Sequence, residues 1–240
     1  MSGQGLRGVR AGLLHTVPAL AGTFQADITA AAPGINLVHI ADPWLLGTAI
    51  EVGVTDEVNR RVAAHIDCLI SAGAHAVLVT CSSIGNAVEL AAANAPIPVL
   101  RVDAPMAAEA VAEALRVGGR SGRIAVLATL SATLGPTGQL IQRAVDASSA
   151  EVGVTVTVVE GAVAARESGD QATHDALISA AVLAVAEQVD VVVLAQASMA
   201  RAVAGLSVTV PILTSPGTGI AALLSALQAT TADHPAAGAP

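Results

Sequence analysis

Short aliphatic and β-branched runs alternate with longer Ala-rich stretches along nearly the whole chain, the pattern of repeated βα units on mainly parallel sheets. The runs predict strands at about Val9–Leu14, Ile35–His39, Ala76–Val79, Val99–Val102, Ile124–Ala128, Val154–Val159, Val191–Leu194 and Ile212–Leu213. Between them the pattern predicts helices that include about Asp56–Ala72, Ser83–Asn94, Met106–Val117, Thr137–Ser148, Thr173–Val189 and Ile220–Gln228. Residues 229–240, rich in Ala, Thr and Pro, read as a disordered tail.

Sliding the chain against itself by about half its length exposes a weak internal repeat. Val77-Leu78-Val79-Thr80-Cys81-Ser82-Ser83 lies over Val192-Val193-Leu194-Ala195-Gln196-Ala197-Ser198, and Leu13-Leu14-His15-Thr16 over Val126-Leu127-Ala128-Thr129. Pro98-Val99-Leu100 falls close to Pro211-Ile212-Leu213. The fold class is therefore α/β with two similar halves, one of residues 1–104 with 210–228 and one of 105–209. Ligands of open parallel sheets bind beyond the carboxyl ends of the strands, so a crevice between the halves is the expected active site.

Composition narrows the partners. With 53% hydrophobic, 12% charged and 1% aromatic residues, the chain can bury a sizeable core, and that core is aliphatic. Mean hydropathy is +0.67, yet no stretch of about 18 apolar residues escapes charge, Pro or Gly, so no membrane span is expected. Arg7 and Arg10 followed by an apolar stretch look superficially like a leader. His15 and Pro18 cut that stretch short, and it reads as the first strand of a cytoplasmic protein. A net charge of −8 without a basic cluster excludes nucleic acid as partner and leaves a small molecule. The spacing of the two cysteines and six histidines fits neither a metal site nor a disulfide framework. Gly3, Gly5 and Gly8 precede the first strand instead of following it, so no nucleotide cofactor is expected.

The segment Ala76-Val77-Leu78-Val79-Thr80-Cys81-Ser82-Ser83-Ile84-Gly85 is a buried-type strand that ends in small polar residues and enters a helix. A thiol at a helix start meets unpaired N–H groups and the positive end of the dipole, which lower its pKa from about 8.5 toward 7 and can also hold a carboxylate. Cys68, mid-helix at core spacing, reads as a packing residue. His15 ends the first strand, where an imidazole is a donor or general acid/base unless it only bonds backbone, and His174 opens a helix of the second half. Asp42 and Trp44 follow the second strand in a loop able to close over the crevice, and Arg101 with Asp103 reads as a surface pair. His39, His65, His75 and His234 show no partner pattern.

A strand ending in Thr80-Cys81 before Ser82 and Ser83 resembles the first catalytic-cysteine motif of the aspartate/glutamate/hydantoin racemase superfamily. Ile124-Ala125-Val126-Leu127-Ala128-Thr129, followed by Ser131 and Thr133, is similar to the strand and loop that open that family's second half. Val191 to Ala200 is similar to the segment that bears its second cysteine. The resemblance spans nearly the whole chain and implies a pseudo-symmetric two-half fold, a site between the halves, no cofactor and homodimerisation.

In that family two cysteines face each other across the substrate's carbon, one removing a proton and the other delivering one, without pyridoxal phosphate. Here Gln196 stands where the second thiol is expected, and Ser198 is the nearest hydroxyl. Glutamine is neither acid nor base near neutral pH, although its amide donates to a carboxylate or enediolate oxygen. The resemblance thus implies an isomerase or carboxy-lyase acting alpha to the carboxylate of a small acid, with Cys81 as single thiol acid/base. Thr16, Ser82, Ser83, Thr129, Gln196 and Ser198, with His15 and His174, are the residues expected around the substrate, the hydroxyls competing with simple helix caps. Arylmalonate decarboxylase, in the same superfamily, uses one cysteine to protonate the enediolate left by carbon dioxide. A relative that keeps only the second cysteine would then give the mirror-image product. Maleate isomerase uses a cysteine as nucleophile, which leaves covalent cis-trans isomerisation as an alternative. A small-acid binding protein that has lost its acid/base pair is the alternative from another class.

Overall fold

In each half a short, wholly apolar run of the sequence becomes a central strand. The computed structural model describes residues 6–233, and in it β1 (Arg10–His15), β2 (Asn36–Ala41), β3 (Ala76–Val79) and β4 (Val99–Arg101) form a parallel sheet of order β2-β1-β3-β4. A second parallel sheet joins β5 (Arg123–Ala128), β6 (Gly153–Val158), β7 (Val191–Leu194) and β8 (Ile212–Thr214) in the same pattern, β6-β5-β7-β8. Every residue of β3 and β7 is buried, as a strand with Ala, Val and Leu on both faces requires. The edge strands β2 and β6 carry mixed exposure instead.

The chain divides into two units, Met1–Val102 with Gly217–Pro240, and Asp103–Pro216. The helices of the first are α1 (Leu20–Ala31), α2 (Pro43–Glu51), α3 (Asp56–Ser71) and α4 (Gly85–Ala92). Those of the second are α5 (Ala104–Gly118), α6 (Ser131–Ser148), α7 (Ala162–Glu167) and α8 (Gln171–Ala186), and α9 (Ser215–Asp233) belongs to the first unit from Gly217 onward. In α3 the stripe Val58, Val62, Ile66 and Leu69 repeats at helical spacing and is buried. The Thr55 side chain caps that helix by accepting from the Val58 N–H, and Asp56 and Glu57 complement its dipole. The stripe packs with Leu14, Val77 and Val79 into one aliphatic cluster, and Leu127, Ile178, Val182, Val192 and Leu194 do the same in the second unit.

Several expectations change. Cys68 is exposed: it lies two residues past Ile66 and one short of Leu69, off the buried stripe, so it faces water and not the core. The segment after β2 is α2 and not a loop, with the Asp42 side chain accepting from the Trp44 N–H and Pro43 at the first helical position. Helices α1, α2 and α7 are additional to those read from the pattern. The chain re-enters the first unit at Gly217, later than residue 210, because Ile212–Thr214 pairs in register with Val192, Val193 and Leu194. Ala229–Asp233 continues α9, while His234 and the rest of the expected tail lie outside the described residues. Among the described residues no helix is long and apolar enough to cross a membrane.

Gly219 sets how closely α9 docks. A Cβ there would lie 2.8 Å from Val102 Cγ2 and 2.9 Å from the Val102 carbonyl oxygen, and the backbone atom cannot swing aside. Gly219→Ala is therefore expected to destabilise the protein by roughly 1–3 kcal/mol, read as a lowered urea midpoint. An unchanged midpoint would show that α9 does not depend on this approach.

Candidate functional site

In a sheet of order β2-β1-β3-β4 the connections leave β1 and β3 in opposite directions, and the carboxyl ends of those two strands border the natural ligand crevice. Leu14 pairs with Val79, and the Thr80 N–H donates to the Leu14 carbonyl at 3.0 Å. This register sets His15 and Thr16 beside Thr80 and Cys81. Cys81 has extended backbone angles, φ −131° and ψ 115°, and the 3₁₀ turn Ser82–Ile84 carries the chain from it into α4. The sulfur is hydrogen-bonded by the Thr16 side chain, the backbone N–H groups of Ser83 and Ile84, and the Ser83 side chain. Ser82 and Ser83 are both buried.

The thiol is not activated as a helix start suggests. Cys81 keeps part of its surface exposed, but desolvation of the sulfur raises its pKa above the ordinary thiol value, and the hydrogen bonds that favour the thiolate do not reverse it. One reason is local: the first turn after the cysteine is three residues of 3₁₀ helix, with little aligned dipole behind it.

Arg101 fixes the start of α4. It ends β4 opposite Val79, is buried, and donates from Nη1 to Glu89 Oε1 at 2.5 Å. A methyl at Gly85 would collide with its guanidinium, so glycine is required where the helix begins. The expected surface pair of Arg101 with Asp103 is thus corrected: both residues are buried, because β4 ends inside the helix layer.

His15 is fully buried and offers no free nitrogen. Nδ1 lies 2.8 Å from Thr80 Oγ1 and Nε2 lies 2.9 Å from His39 Nδ1. Burial, and then the neighbouring His39, lower its pKa to about 4, so it is neutral near pH 7. Asp42, at the end of β2, accepts from Arg61 Nε at 2.5 Å and His65 Nε2 at 2.6 Å, and the Arg61 guanidinium lies 4.7 Å from the Trp44 ring centre. Burial works against that carboxylate, but the hydrogen bonds and charges of Arg61 and His65 outweigh it and lower its pKa. Trp44 is packed against α3 by this cluster.

The second unit repeats the geometry with other side chains. Leu127 pairs with Leu194 as Leu14 does with Val79, so Thr129 answers to Thr16, and Gln196 to Cys81. Gln196 has φ −126° and ψ 135°, close to the cysteine's angles, and also precedes a 3₁₀ segment, Ala197–Val203. The Thr129 N–H donates to Gln196 Oε1 at 2.6 Å and the Thr129 hydroxyl at 3.0 Å. A backbone N–H can only donate, so the oxygen is identified without ambiguity and the amide NH2 is the end left over. That NH2 makes no hydrogen bond among the described residues.

Ser198 accepts from Arg166 Nη1 at 3.5 Å, and Arg166, half-buried on α7, has no carboxylate partner among the described residues. No pattern in the sequence singled out this arginine, because α7 and the turn after β7 meet only in three dimensions. His174 is fully buried, with Nδ1 3.0 Å from both Gln171 Nε2 and Asp175 Oδ1, while Nε2 has no partner among the described residues. Burial opposes the Asp175 carboxylate, but hydrogen bonds from His174, Gln171 and Arg201 lower its pKa. No hydrogen bond joins His174 to Thr129, Gln196 or Ser198 among the described residues. Nor do three or more His, Cys, Asp or Glu side chains among those residues converge as a metal site.

The same four-strand order twice, with a cysteine and a glutamine at equivalent strand ends, matches one family. The family model of Asp/Glu/hydantoin racemases covers residues 14–223. The chain belongs to that family. No curated protein sequence matches it. Among solved structures this racemase-family chain is similar to a glutamate racemase from Bacillus anthracis, with TM-score 0.68, 18% identity, and 93% of this chain and 83% of that one covered. It is also similar to an allantoin racemase from Klebsiella pneumoniae, with TM-score 0.68, 18% identity and coverage of 92% and 89%. A glycine-to-cysteine mutant of arylmalonate decarboxylase, in a sulfate-associated form, gives TM-score 0.55, 19% identity and coverage of 91% and 93%. At these identities the likeness establishes the fold.

A raised thiol pKa has a direct kinetic signature. In a Cys68→Ser background, alkylation of Cys81 by iodoacetamide is expected to be slower at pH 7 than that of a free thiol, and to rise with pH through a midpoint above the ordinary value of about 8.5. A midpoint near 7 would mean that the N–H groups outweigh burial after all.

Proposed function

We propose that this protein is a cofactor-independent enzyme in which Cys81 is the single thiol acid, protonating carbon alpha to the carboxylate of a small acid. The reaction is then a decarboxylation or a one-base isomerisation. One observation carries the reading: a thiol kept protonated near pH 7, at the meeting of β1 and β3, opposite in the repeat to a glutamine that cannot titrate.

The remaining side chains divide into donors and one cation. Thr16, Ser83 and the N–H groups of Ser83 and Ile84 hold the sulfur and would stabilise the thiolate that forms when its proton leaves. Gln196, its carbonyl held by Thr129, is assigned to donate its NH2 to an oxygen of the enediolate. Arg166, with Ser198, is assigned to a carboxylate of the substrate, since a guanidinium without a carboxylate partner is the natural receptor for one. Ser82 and His174 are buried and are assigned supporting roles. In the decarboxylation, the carbon–carbon bond breaks to release carbon dioxide and its electron pair passes into the enediolate. The carbon then takes the Cys81 proton, and the thiolate takes one from solvent.

A protonated thiol disfavours the covalent alternative, because the nucleophile there is the thiolate. The same raised pKa together with Gln196 favours the second reading, a binding protein for small acids. Incubation in deuterated water with malonates, hydroxy acids and amino acids, followed by proton NMR, separates them. The enzyme reading expects deuterium beside a carboxylate, in a single enantiomer where a malonate loses carbon dioxide, and none with Cys81→Ala. Arg166→Gln is expected to raise KM, and Gln196→Ala to lower kcat by roughly 10²-fold, as for loss of one oxyanion donor. Binding of an acid without exchange at any carbon would establish the binding protein.

A further inference from the structure

Strand β6 is an open edge of the second sheet. In the order β6-β5-β7-β8 it pairs with β5 alone, and Thr155, Val156 and Thr157 are exposed, Val156 to 44%. Natural sheets guard such an edge with charge, proline, a bulge or a covering element, because its free N–H and C=O groups invite another strand. Val154-Thr155-Val156-Thr157-Val158 has no charge and no proline, and its register with β5 runs without a bulge. The exposed acidic residues nearest to it, Glu151 and Glu160, fall outside the segment. The edge strands β4 and β8 are only three residues long. The counterpart of β6 in the first unit, β2, reads Asn36-Leu37-Val38-His39-Ile40-Ala41 and shares none of the pattern.

We propose that two copies of this chain associate through β6, antiparallel and centred on Val156, so that their second sheets join into one. The sequence of the strand is symmetric: Val-Thr-Val-Thr-Val reads the same in both directions about Val156. Laid antiparallel on itself about that residue, it sets Val against Val on one face and Thr against Thr on the other, the self-complementarity that a two-fold contact demands. The backbone has the matching direction. The Gly153 N–H donates to Gly122 O and the Val159 N–H to Ala128 O, so the odd-numbered residues turn their polar groups toward β5. Alternate residues of a strand turn them to opposite edges, so those of Val154, Val156 and Val158 face outward. The centre of the symmetry is thus an outward-facing residue. Val156 exchanges both N–H···O bonds with the Val156 of the second copy, and Val154 and Val158 exchange theirs crosswise.

Helix α6 is built for the same contact. It packs over β5 and β6. With strands about 4.8 Å apart, continuing the sheet across the two-fold brings the α6 axes of the two copies to about 10 Å, the spacing of packed helices. A Cβ on Gly138 would lie 4.0 Å from Val156 Cγ2, and one on Gly135 would meet open space. An alanine would therefore fit at both positions within one copy. Glycine in a helix interior costs about 0.5–1 kcal/mol relative to alanine, so the packing of a single copy gives no reason for either. A second α6 alongside does, since small residues at the contact let two helices approach.

Sedimentation equilibrium of the full-length protein, together with cross-linking, tests this surface. The expected species is a dimer of the 23.6 kDa chain that dissociates on dilution. Val156→Lys sets two like charges directly opposite each other and is expected to shift association to higher concentration or abolish it, whereas Val156→Thr, β-branched and neutral, leaves it in place. In a Cys68→Ser background, Val156→Cys puts the two introduced thiols opposite each other with Cα atoms about 5.5 Å apart, within disulfide reach. Mild oxidation then gives a covalent dimer. Thr155→Cys is expected to cross-link to Thr157→Cys faster than to itself, which reads the register. A monomer at every concentration overturns the proposal. So does association that Val156→Lys leaves unchanged in protein with the circular dichroism of the wild type, or a Val156→Cys variant that forms no covalent dimer. Should Val156→Lys not fold, the cross-linking alone decides.

Discussion

The register of one parallel strand pair in each unit carries most of what this molecule can do. Leu14 opposite Val79 sets Thr16 against Cys81, and Leu127 opposite Leu194 sets Thr129 against Gln196. A slip of one residue would turn every side chain of the moving strand to the other face. It would also separate each threonine from the group it holds. Full burial of β3 and β7 resists such a slip, since all four residues of each already pack on both faces and none could become exposed without losing about 1.5–3 kcal/mol per aliphatic side chain.

On that common scaffold the halves have diverged in chemistry. The first places a titratable sulfur and one imidazole at its strand ends; the second places an amide, hydroxyls and a guanidinium at the corresponding end of its sheet. Each polar group is tied down by a specific partner, and this is what burial demands of it. The tying also selects which atoms stay available for chemistry. Thr129 takes up the carbonyl of Gln196, so what remains is a donor. Thr16 and two N–H groups hold the sulfur of Cys81 but leave burial as the larger effect, so what remains is an acid.

The central elements are legible in the sequence because continuous Ala, Val and Leu runs between polar stretches admit little else. β3 and β7 have the bounds that the pattern predicts, and the half-chain repeat anticipates the identical strand orders. Helix α2 carried a legible signal, Asp42 followed by Pro43, that a search for strand ends passes over. Cys81 and Gln196 stand out by their place after a buried strand, whereas Arg101, Arg166 and His39 do not. Their partners lie 12, 32 and 24 residues away on other elements, and only the fold brings Arg101 to Glu89, Arg166 to Ser198 and His39 to His15. The direction of the thiol shift is illegible for a related reason. Local sequence shows a helix start, but the desolvation that overrides it comes from residues that are not neighbours in the chain.

On the proposed reading of Cys81 as the acid, one thiol in place of two changes the proton balance and not only the geometry. With two thiols of opposite protonation, each turnover leaves the pair reversed, and the reverse reaction or an exchange resets it. With one, every proton given to carbon must be replaced through whatever path water has to the sulfur. A buried sulfur with a raised pKa is well suited to hold its proton until a carbanion forms. The part of Cys81 that stays exposed leaves water a direct way back to the thiolate, so the desolvation that holds the proton does not prevent its replacement.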